Sequence, residues 1–219
     1  MDDGYTLSFD FWWLLATEET EVSDSVVLAN DKVPLLLSNT AWFPQERDFQ
    51  AIATWYEEKS IVPALILPAM RDKAFDEALK GSGFALERAF TFREVEKPQG
   101  DDLLTEQVSW AQGRALGEYL AAHYGQPTYS VQLGAAVTRA MQRSPDIVSF
   151  AAYGGGEVAG ALVAFEREGA LYAMMHSENL EARLYQEALS RDARAFVFEP
   201  LPEGVTVKDE ASLERWSIR

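Results

Sequence analysis

The stretch Phe49–Ala69, FQAIATWYEEKSIVPALILPA, aligns without gaps on Leu180–Pro200, LEARLYQEALSRDARAFVFEP, at an offset of 131 residues. Each stretch predicts an amphipathic helix, a polar break and a short apolar strand. A period this long that occurs twice indicates a duplicated half-domain or two domains in tandem rather than a solenoid. We therefore expect two related units in this chain.

The segments that follow the two copies extend the likeness. Each copy is followed by a predicted strand that begins Leu-Glu-Arg, Leu86–Arg93 in the first and Leu213–Arg219 in the second. Between the copies, Glu96–Asp102 (EKPQGDD) combines proline, glycine and charge, which is typical of a linker. We place the domain boundary in this linker, with an N-terminal unit at 1–98 and a C-terminal unit at 99–219.

The composition excludes several kinds of site. The chain has 219 residues, no cysteine and two histidines, so it offers no disulfide framework, thiolate zinc site or cysteine nucleophile. Two histidines are also too few for us to expect a metal site. The formal net charge is −16, without a basic cluster to neutralise phosphates, which argues against a nucleic-acid partner.

The early apolar run Phe9–Ala16 is too short to span a bilayer. Its flanks are acidic and lack lysine, unlike those of a signal peptide. We therefore expect no membrane contact and a cytoplasmic location.

The spacing of apolar residues, together with the positions of glycine and proline, predicts the helices and strands. In the first half, the predicted elements are a hairpin of Val26–Ala29 with Val33–Leu37, helix Phe49–Lys59, strand Pro63–Leu67, helix Asp72–Lys80 and strand Phe84–Val95. In the second half, they are helices Thr105–His123 and Val131–Arg143, strands Ile147–Tyr153, Glu157–Phe165 and Ala170–Met175, helix Leu180–Arg191, and strands Arg194–Glu199 and Ser212–Arg219.

This order over Leu103–Arg219, together with YGGGEVAGALVAFEREGALYAMM at 153–175, resembles the GNAT superfamily of acyl-CoA-dependent N-acyltransferases. The first half resembles the later portion of the same fold. The resemblance implies an α+β protein with two GNAT-like units in tandem, each a mixed, mostly antiparallel sheet flanked by helices. It also implies acetyl-CoA as the cofactor of an active member.

The resemblance implies a coenzyme A loop of the form Gln/Arg-x-x-Gly-x-Gly/Ala directly after the fourth strand of each unit. In the second copy this place is His176–Glu181, and in the first it is Asn39–Asp48; neither contains glycine. We expect Glu178, Asn179 and Glu181 in a first helical turn, where carboxylates compete with a phosphate for the helix N terminus. Neither copy is expected to bind coenzyme A in the usual way.

One segment elsewhere, Gln112–Gly117 (QGRALG), matches the loop pattern with alanine in place of the central glycine. If it is functional, its cofactor-binding residues are Gln112, Gly113, Arg114 and Gly117. The alternative is an ordinary helix rich in alanine, leucine and glycine, because the preceding Leu104–Trp110 does not resemble a strand and the motif requires one.

The catalytic groups that the resemblance implies are not found at the corresponding positions. Neither predicted fourth strand, Val33–Leu37 or Ala170–Met175, carries an acidic residue that could act as a base, and Leu79 stands where the family often has a tyrosine acid. The catalytic residues therefore stay unknown. Candidates for lining a cleft at the ends of these strands are Met175, His176, Ser177 and Asn39.

Two hypotheses follow from these patterns. In the first, the chain has lost acetyl-CoA-dependent catalysis, needs no cofactor, and acts by binding a small molecule or a protein or by oligomerisation, for example as a homodimer. In the second, it is an active N-acetyltransferase with a non-standard acetyl-CoA site. Function resides in the site and not in the fold, so the sequence leaves both open.

Overall fold

The computed structural model describes residues 4–33, 37–96, 105–177, 180–202, 205 and 212–218. Its contacts divide the chain into two compact units. Unit 1 comprises Met1–Thr91 with Pro200–Arg219, and unit 2 comprises Phe92–Glu199. This division differs from the predicted boundary in the linker, because the segment after Pro200 lies with the first half of the chain.

Both units contain α-helices and β-strands. The helices are α1 (Gly4–Leu15), α2 (Phe49–Glu58), α3 (Lys73–Gly81), α4 (Gly113–His123), α5 (Ser130–Arg143) and α6 (Glu181–Ser190). The strands are β1 (Glu18–Val22), β2 (Ser25–Ala29), β3 (Ala41–Trp42), β4 (Ala64–Pro68), β5 (Phe84–Glu94), β6 (Thr105–Val108), β7 (Ile147–Gly154), β8 (Glu157–Arg167), β9 (Ala170–His176), β10 (Arg194–Pro200) and β11 (Leu213–Ile218). Among the helices of the described residues, none combines the length and the apolar character needed to cross a membrane.

The strands of unit 1 follow the order β1-β2-β3-β4-β11-β5. Strands β3 and β4 run parallel, whereas β11 is antiparallel to both β4 and β5. The apolar faces of α2 and α3 cover one side of this sheet, around Phe49, Ile52, Tyr56 and Trp216. The last strand of the chain therefore lies inside the sheet of the first half.

The strands of unit 2 follow the order β10-β9-β8-β7-β6, with β9 and β10 parallel and the other neighbours antiparallel. Helix α6 packs its buried Leu184 and Ala188 against the apolar face of this sheet. The backbone N–H of Val95 donates to the carbonyl of Ala195 on β10 at 2.9 Å, so the segment around Val95 lies beside β10.

The internal repeat is confirmed by equivalent elements in the two units. In unit 1 the order β3-α2-β4 returns the chain to a parallel strand, and β9-α6-β10 does the same in unit 2. The aligned stretches Phe49–Ala69 and Leu180–Pro200 supply the helix and second strand of these crossovers. The α+β class with mixed, mostly antiparallel pairing is as predicted.

The strand predicted at Val33–Leu37 is wrong at both of its described ends, and 34–36 lie outside the described residues. Strand β2 pairs with β1 on one side and with β3 on the other, where Val26 lies opposite Trp42. Directly after β2, the N–H of Asn30 donates to Asn39 Oδ1 at 2.7 Å. The predicted linker also lies outside the described residues from 97 onward.

The helix predicted over Thr105–His123 is wrong in its first third. Residues Thr105–Val108 form β6, which pairs with β7 at the edge of the sheet. A capping box of Ser109 and Gln112 then starts the helical segment, because the Gln112 Oε1 accepts hydrogen bonds from the Ser109 hydroxyl and N–H. A four-residue edge strand with two exposed polar residues lacks the apolar alternation that would identify it.

Candidate functional site

The first cleft lies in unit 1, where the parallel strands β3 and β4 separate. They are paired only at Ala41 and Leu65. Beyond that pair, the N–H of Phe43 donates to the Tyr5 hydroxyl oxygen at 2.6 Å, and the same hydroxyl donates to the carbonyl of Ile66 at 2.8 Å. A side chain from α1 therefore satisfies the backbone groups that the separation leaves unpaired.

Aromatic rings surround the Tyr5 hydroxyl bridge. The Tyr5 ring is 6% exposed and lies 5.3 Å from the Trp42 ring and 4.9 Å from the Phe43 ring, measured between centroids. Phe9 contacts both of these partners. The backbone of Phe43 has φ +56°, which is strained for a bulky residue and directs its N–H to Tyr5. The first cleft is thus filled by the chain's own side chains.

The second cleft lies in unit 2, between β9 and β10. The parallel pairing extends from Ala170 with Arg194 to Ala173 with Val197. Strand β9 then bulges, because Ala164 pairs with Ala173 and Val163 with Met175, which leaves Met174 as the extra residue. A bulge bends its strand locally, so β9 turns away where its pairing with β10 stops.

Tyr124 satisfies the backbone of β9 beyond this bulge. Its hydroxyl accepts from the N–H of His176 at 2.8 Å and donates to the His176 carbonyl at 3.1 Å. The Tyr124 side chain is 42% exposed, but its hydroxyl end lies against the strand. Burial raises the pKa of this hydroxyl to about 12, so it stays protonated and available as a donor.

The His176 side chain also spans the gap between the strands. Its ring hydrogen-bonds the backbone of Phe198 on β10. The other ring nitrogen, Nδ1, is buried and has no hydrogen-bond partner in the described part of the chain. Burial lowers the pKa of His176, while the nearby carboxylates of Glu181 and Glu199 raise it and Arg93 lowers it. The result is a neutral imidazole at neutral pH.

An ion cluster lies beside His176 at the start of α6. The Arg93 guanidinium contacts Glu199 at 2.9 and 3.1 Å and Glu181 at 2.8 Å. These hydrogen bonds raise the pKa of Arg93, and the bond to Glu199 has the largest effect. Glu181 lies in the first turn of α6, as predicted, whereas Glu178 and Asn179 lie outside the described residues.

A carboxylate also lies at the corresponding helix start in unit 1. Asp48 precedes α2, is fully buried, and accepts a hydrogen bond from the Ser25 hydroxyl at 2.7 Å. The helix N terminus that follows the first parallel strand therefore carries a carboxylate in both units. Such a position is otherwise suited to an anionic ligand.

Of the four residues predicted to line a cleft, only His176 presents a polar group to the gap. Met175 is buried within β9. The Ser177 hydroxyl accepts from the N–H of Ala161 at 3.1 Å, which extends the pairing of β8 with β9. Asn39 lies in the loop before β3, where its Nδ2 donates to the carbonyl of Val33 at 3.0 Å.

The segment Gln112–Gly117 is preceded by strand β6, contrary to the expectation that no strand precedes it. Its glycines serve helix packing: a Cβ at Gly117 would lie 2.4 Å from the Cα of Gly134, and one at Gly113 would lie 2.9 Å from the Thr138 Oγ1. Both glycines therefore let α4 and α5 approach closely. Arg114 points outward and pairs with Glu118 at 2.7 Å.

Tyr5, Tyr124, Arg93 and Glu199 are the cleft residues that sequence reasoning missed. Tyr5 belongs to an aromatic helix that resembles core, and Tyr124 precedes Gly125 at a helix end, so neither carries a motif. Arg93 and Glu199 lie near the ends of predicted strands, where ordinary surface charges are also common. Among the described residues, no group of three or more histidine, aspartate and glutamate side chains could hold a metal ion.

Comparisons with known proteins identify the fold. No protein-family model matches the chain, and no curated protein matches it. A GCN5-related N-acetyltransferase from Kribbella flavida superposes with a TM-score of 0.60 and 11% identity over 100% of this chain and 96% of that one.

Two further solved structures are similar. A functionally unknown conserved protein from Staphylococcus epidermidis ATCC 12228 has a TM-score of 0.57 and 12% identity, over 93% of this chain and 94% of that one. A GCN5-related N-acetyltransferase from Sphaerobacter thermophilus has a TM-score of 0.50 and 13% identity, over 89% and 76%. This chain therefore has the fold of the GCN5-related N-acetyltransferases.

Proposed function

We propose that this chain has lost acyl-CoA-dependent catalysis and acts by binding a small molecule or a protein, or by oligomerisation. One observation carries the proposal. In each unit a tyrosine hydroxyl hydrogen-bonds the backbone groups that become unpaired where the parallel strands separate, Tyr5 in unit 1 and Tyr124 in unit 2.

These backbone groups are what an acyl-CoA would need. Its pantetheine arm is an extended chain with two amides, which can add to a sheet as a strand does, through N–H and C=O groups freed by separating strands. In unit 1 the N–H of Phe43 and the carbonyl of Ile66 already have a partner, and in unit 2 both groups of His176 do. An incoming arm would have to break these bonds, leaving each tyrosine hydroxyl to find a new partner.

The electrostatics of the helix starts support the same proposal. Coenzyme A carries several negative charges, and an N terminus with free N–H groups would stabilise its pyrophosphate. Asp48 and Glu181 supply negative charge at these positions instead, in a chain whose net charge is −16. Like charge lowers the local concentration of an anionic ligand.

The proposal is tested by calorimetric titration with acetyl-CoA and by an acyl-transfer assay with spermidine as the amine. Because the chain has no cysteine, any coenzyme A released can be detected with a thiol reagent without background from the protein. We expect no saturable heat up to about 1 mM acetyl-CoA, a limit set by weak affinity, and no thiol release above the rate without protein.

A second candidate function, an active acyltransferase, is favoured by one observation. The neutral His176, with its buried Nδ1 unpartnered among the described residues, could accept a proton from an amine. A micromolar dissociation constant for acetyl-CoA, with thiol release that His176→Gln abolishes, would overturn the proposal in favour of this candidate. If binding is seen, Arg114→Gln tests the segment Gln112–Gly117 without disturbing the glycine packing of α4 on α5.

A further inference from the structure

A groove on unit 2 lies outside both clefts. It has a volume of about 410 Å³ and runs between the start of α4 and the outer face of α5. It is lined by Trp110, Ala111, Arg114, Val131, Ala135, Thr138 and Arg139. Its size falls within the range of ligand-binding clefts in proteins.

The floor of the groove is apolar and exposed. Trp110 is 54% exposed and Val131 is 55% exposed, and Ala135 lies one turn after Val131 on the same face of α5. A tryptophan and a valine that face solvent side by side leave apolar surface in water. Tryptophan is also among the residues that contribute most to binding when a partner covers them.

The charge of the groove is opposite to that of the chain. Its lining includes two guanidiniums and, among the described residues that line it, no carboxylate. The Arg139 side chain has no ion pair or hydrogen bond with any described residue. Arg114 pairs with Glu118 at an exposed position, where such a pair contributes little and is readily exchanged. The Arg139 guanidinium therefore gives the groove a local positive charge that no described carboxylate neutralises, and this favours a partner that places a carboxylate at that position.

We propose that this groove binds an acidic peptide segment that carries apolar side chains. From Val131 to Arg139 the groove follows α5 for about 12 Å, which matches roughly four residues of extended peptide. The apolar side chains of the segment pack on Trp110 and Val131, and its carboxylates pair with Arg139 and Arg114. Two guanidiniums are too few for a nucleic acid, whose binding needs many phosphate contacts.

The test uses a fluorescein-labelled, C-terminally amidated peptide of sequence Asp-Phe-Glu-Leu-Asp and the full-length protein, with fluorescence polarisation as the readout. We expect saturable binding with a dissociation constant on the order of 100 µM, as for a short segment with one aromatic anchor. Binding should weaken several-fold when NaCl is raised from about 50 to 500 mM. The uncharged peptide Asn-Phe-Gln-Leu-Asn serves as the probe control and should bind at least about tenfold more weakly.

Variants locate the binding in the groove. Arg139→Gln should weaken binding at least about fivefold and Trp110→Ala at least about tenfold. Val131→Glu, at an exposed position on α5, should abolish binding through like charge, and thermal unfolding verifies that each variant is folded. The matched control is Arg143→Gln, one turn beyond Arg139 and outside the groove, which should change binding less than about twofold.

Three results would overturn the proposal. The first is no saturable binding up to about 1 mM peptide. The second is equal binding of the charged and uncharged peptides, or binding that Arg139→Gln and Trp110→Ala leave unchanged. The third is self-association of the protein, measured by sedimentation, that Trp110→Ala abolishes and the peptide does not compete with, because the occupant would then be a second copy of the chain.

Discussion

The two clefts differ in how the chain fills the gap between its parallel strands. In unit 1 a single hydroxyl, that of Tyr5, joins the two strands directly, inside a cluster of buried aromatic rings. In unit 2 the hydroxyl of Tyr124 serves only β9, and the side chain of His176 reaches β10 separately. The first cleft is closed by packing, whereas the second is closed by two polar groups, one of them on a partly exposed ring.

Because of this difference, we expect the cleft of unit 2 to open more easily than the cleft of unit 1. Displacing Tyr5 would expose several aromatic rings to water, which is costly because each buries a large apolar area. Tyr124 is already 42% exposed, so displacing it would expose less additional apolar surface than displacing Tyr5 would. We therefore expect a ligand that enters one of these two clefts to bind in unit 2.

Removal of residues 201–219 should have the largest effect. Without β11, strands β4 and β5 lose the antiparallel neighbour between them, and Trp216 no longer fills the core of unit 1. We expect unit 1 to lose its protection from amide hydrogen exchange while the amides of β7, β8 and β9 keep theirs. Retained protection in α2 and β4 would show that unit 1 folds without β11.

Tyr5→Phe should destabilise the protein more than Tyr124→Phe. The first variant leaves the N–H of Phe43 and the carbonyl of Ile66 unpaired in a buried site, at a cost of about 1–3 kcal/mol. Water can replace the Tyr124 hydroxyl from the exposed side of its ring, so we expect about 0.5–1.5 kcal/mol there. Urea denaturation measures both free energies of unfolding; the reverse order would contradict the assignment of the tighter closure to unit 1.

The free energy of unfolding should decrease as the pH falls from about 7 toward 5, partly because of His176. The unfolded chain protonates this histidine near pH 6.5, whereas burial lowers its pKa in the folded state. The unfolded state therefore binds more protons in this range, and acid favours it. The pKa of Glu94 is lowered by its hydrogen bond to Arg194, so this group lowers stability only once the pH falls to the ordinary pKa of a glutamate and below it.

The pH dependence is measured by urea denaturation at several pH values, with one pKa unit corresponding to about 1.4 kcal/mol. His176→Gln should reduce the slope between pH 7 and 5. His123→Gln, on the exposed face of α4, is the matched control for removing a histidine from the same unit. An unchanged slope in His176→Gln would mean that the imidazole of His176 is not desolvated in the folded protein.

Arg93→Gln should have the smallest effect. The Arg93 side chain is partly exposed, and exposed ion pairs contribute about 0–1 kcal/mol. Arg194→Gln, which breaks an exposed pair with Glu94, is the control for the removal of a guanidinium. A loss well above this range for Arg93→Gln alone would show that the cluster with Glu181 and Glu199 holds the start of α6 in place.

The sequence was sufficient to predict the helix and the second strand of the crossover in both units. The helical period of Phe49–Glu58 and Glu181–Ser190, and the apolar strand after each helix, are encoded within about 20 residues. A carboxylate in the first turn of α6 was also predictable, because Glu181 directly precedes the periodic residues. These features depend on neighbours along the chain.

The features that depend on distant neighbours were not predictable. Strand β11 begins with Leu-Glu-Arg, and β5 contains the same three residues at 86–88. The sequence of a strand does not specify which other strand it will pair with. The bridge formed by Tyr5 connects residues 38 and 61 positions away. A tyrosine whose hydroxyl hydrogen-bonds a distant backbone group looks like any other tyrosine in the sequence, so neither bridge was predictable from it.

The position of β11 has a consequence for how the protein is made. During synthesis the chain completes β5 roughly 120 residues before it completes β11, a delay of roughly 6–24 s at about 5–20 residues per second. For that time β4 and β5 lack the strand that will separate them, and exposed strand edges pair readily with other chains. Unit 2, which is continuous in sequence, can fold as it leaves the ribosome, whereas unit 1 must wait for the last strand of the chain.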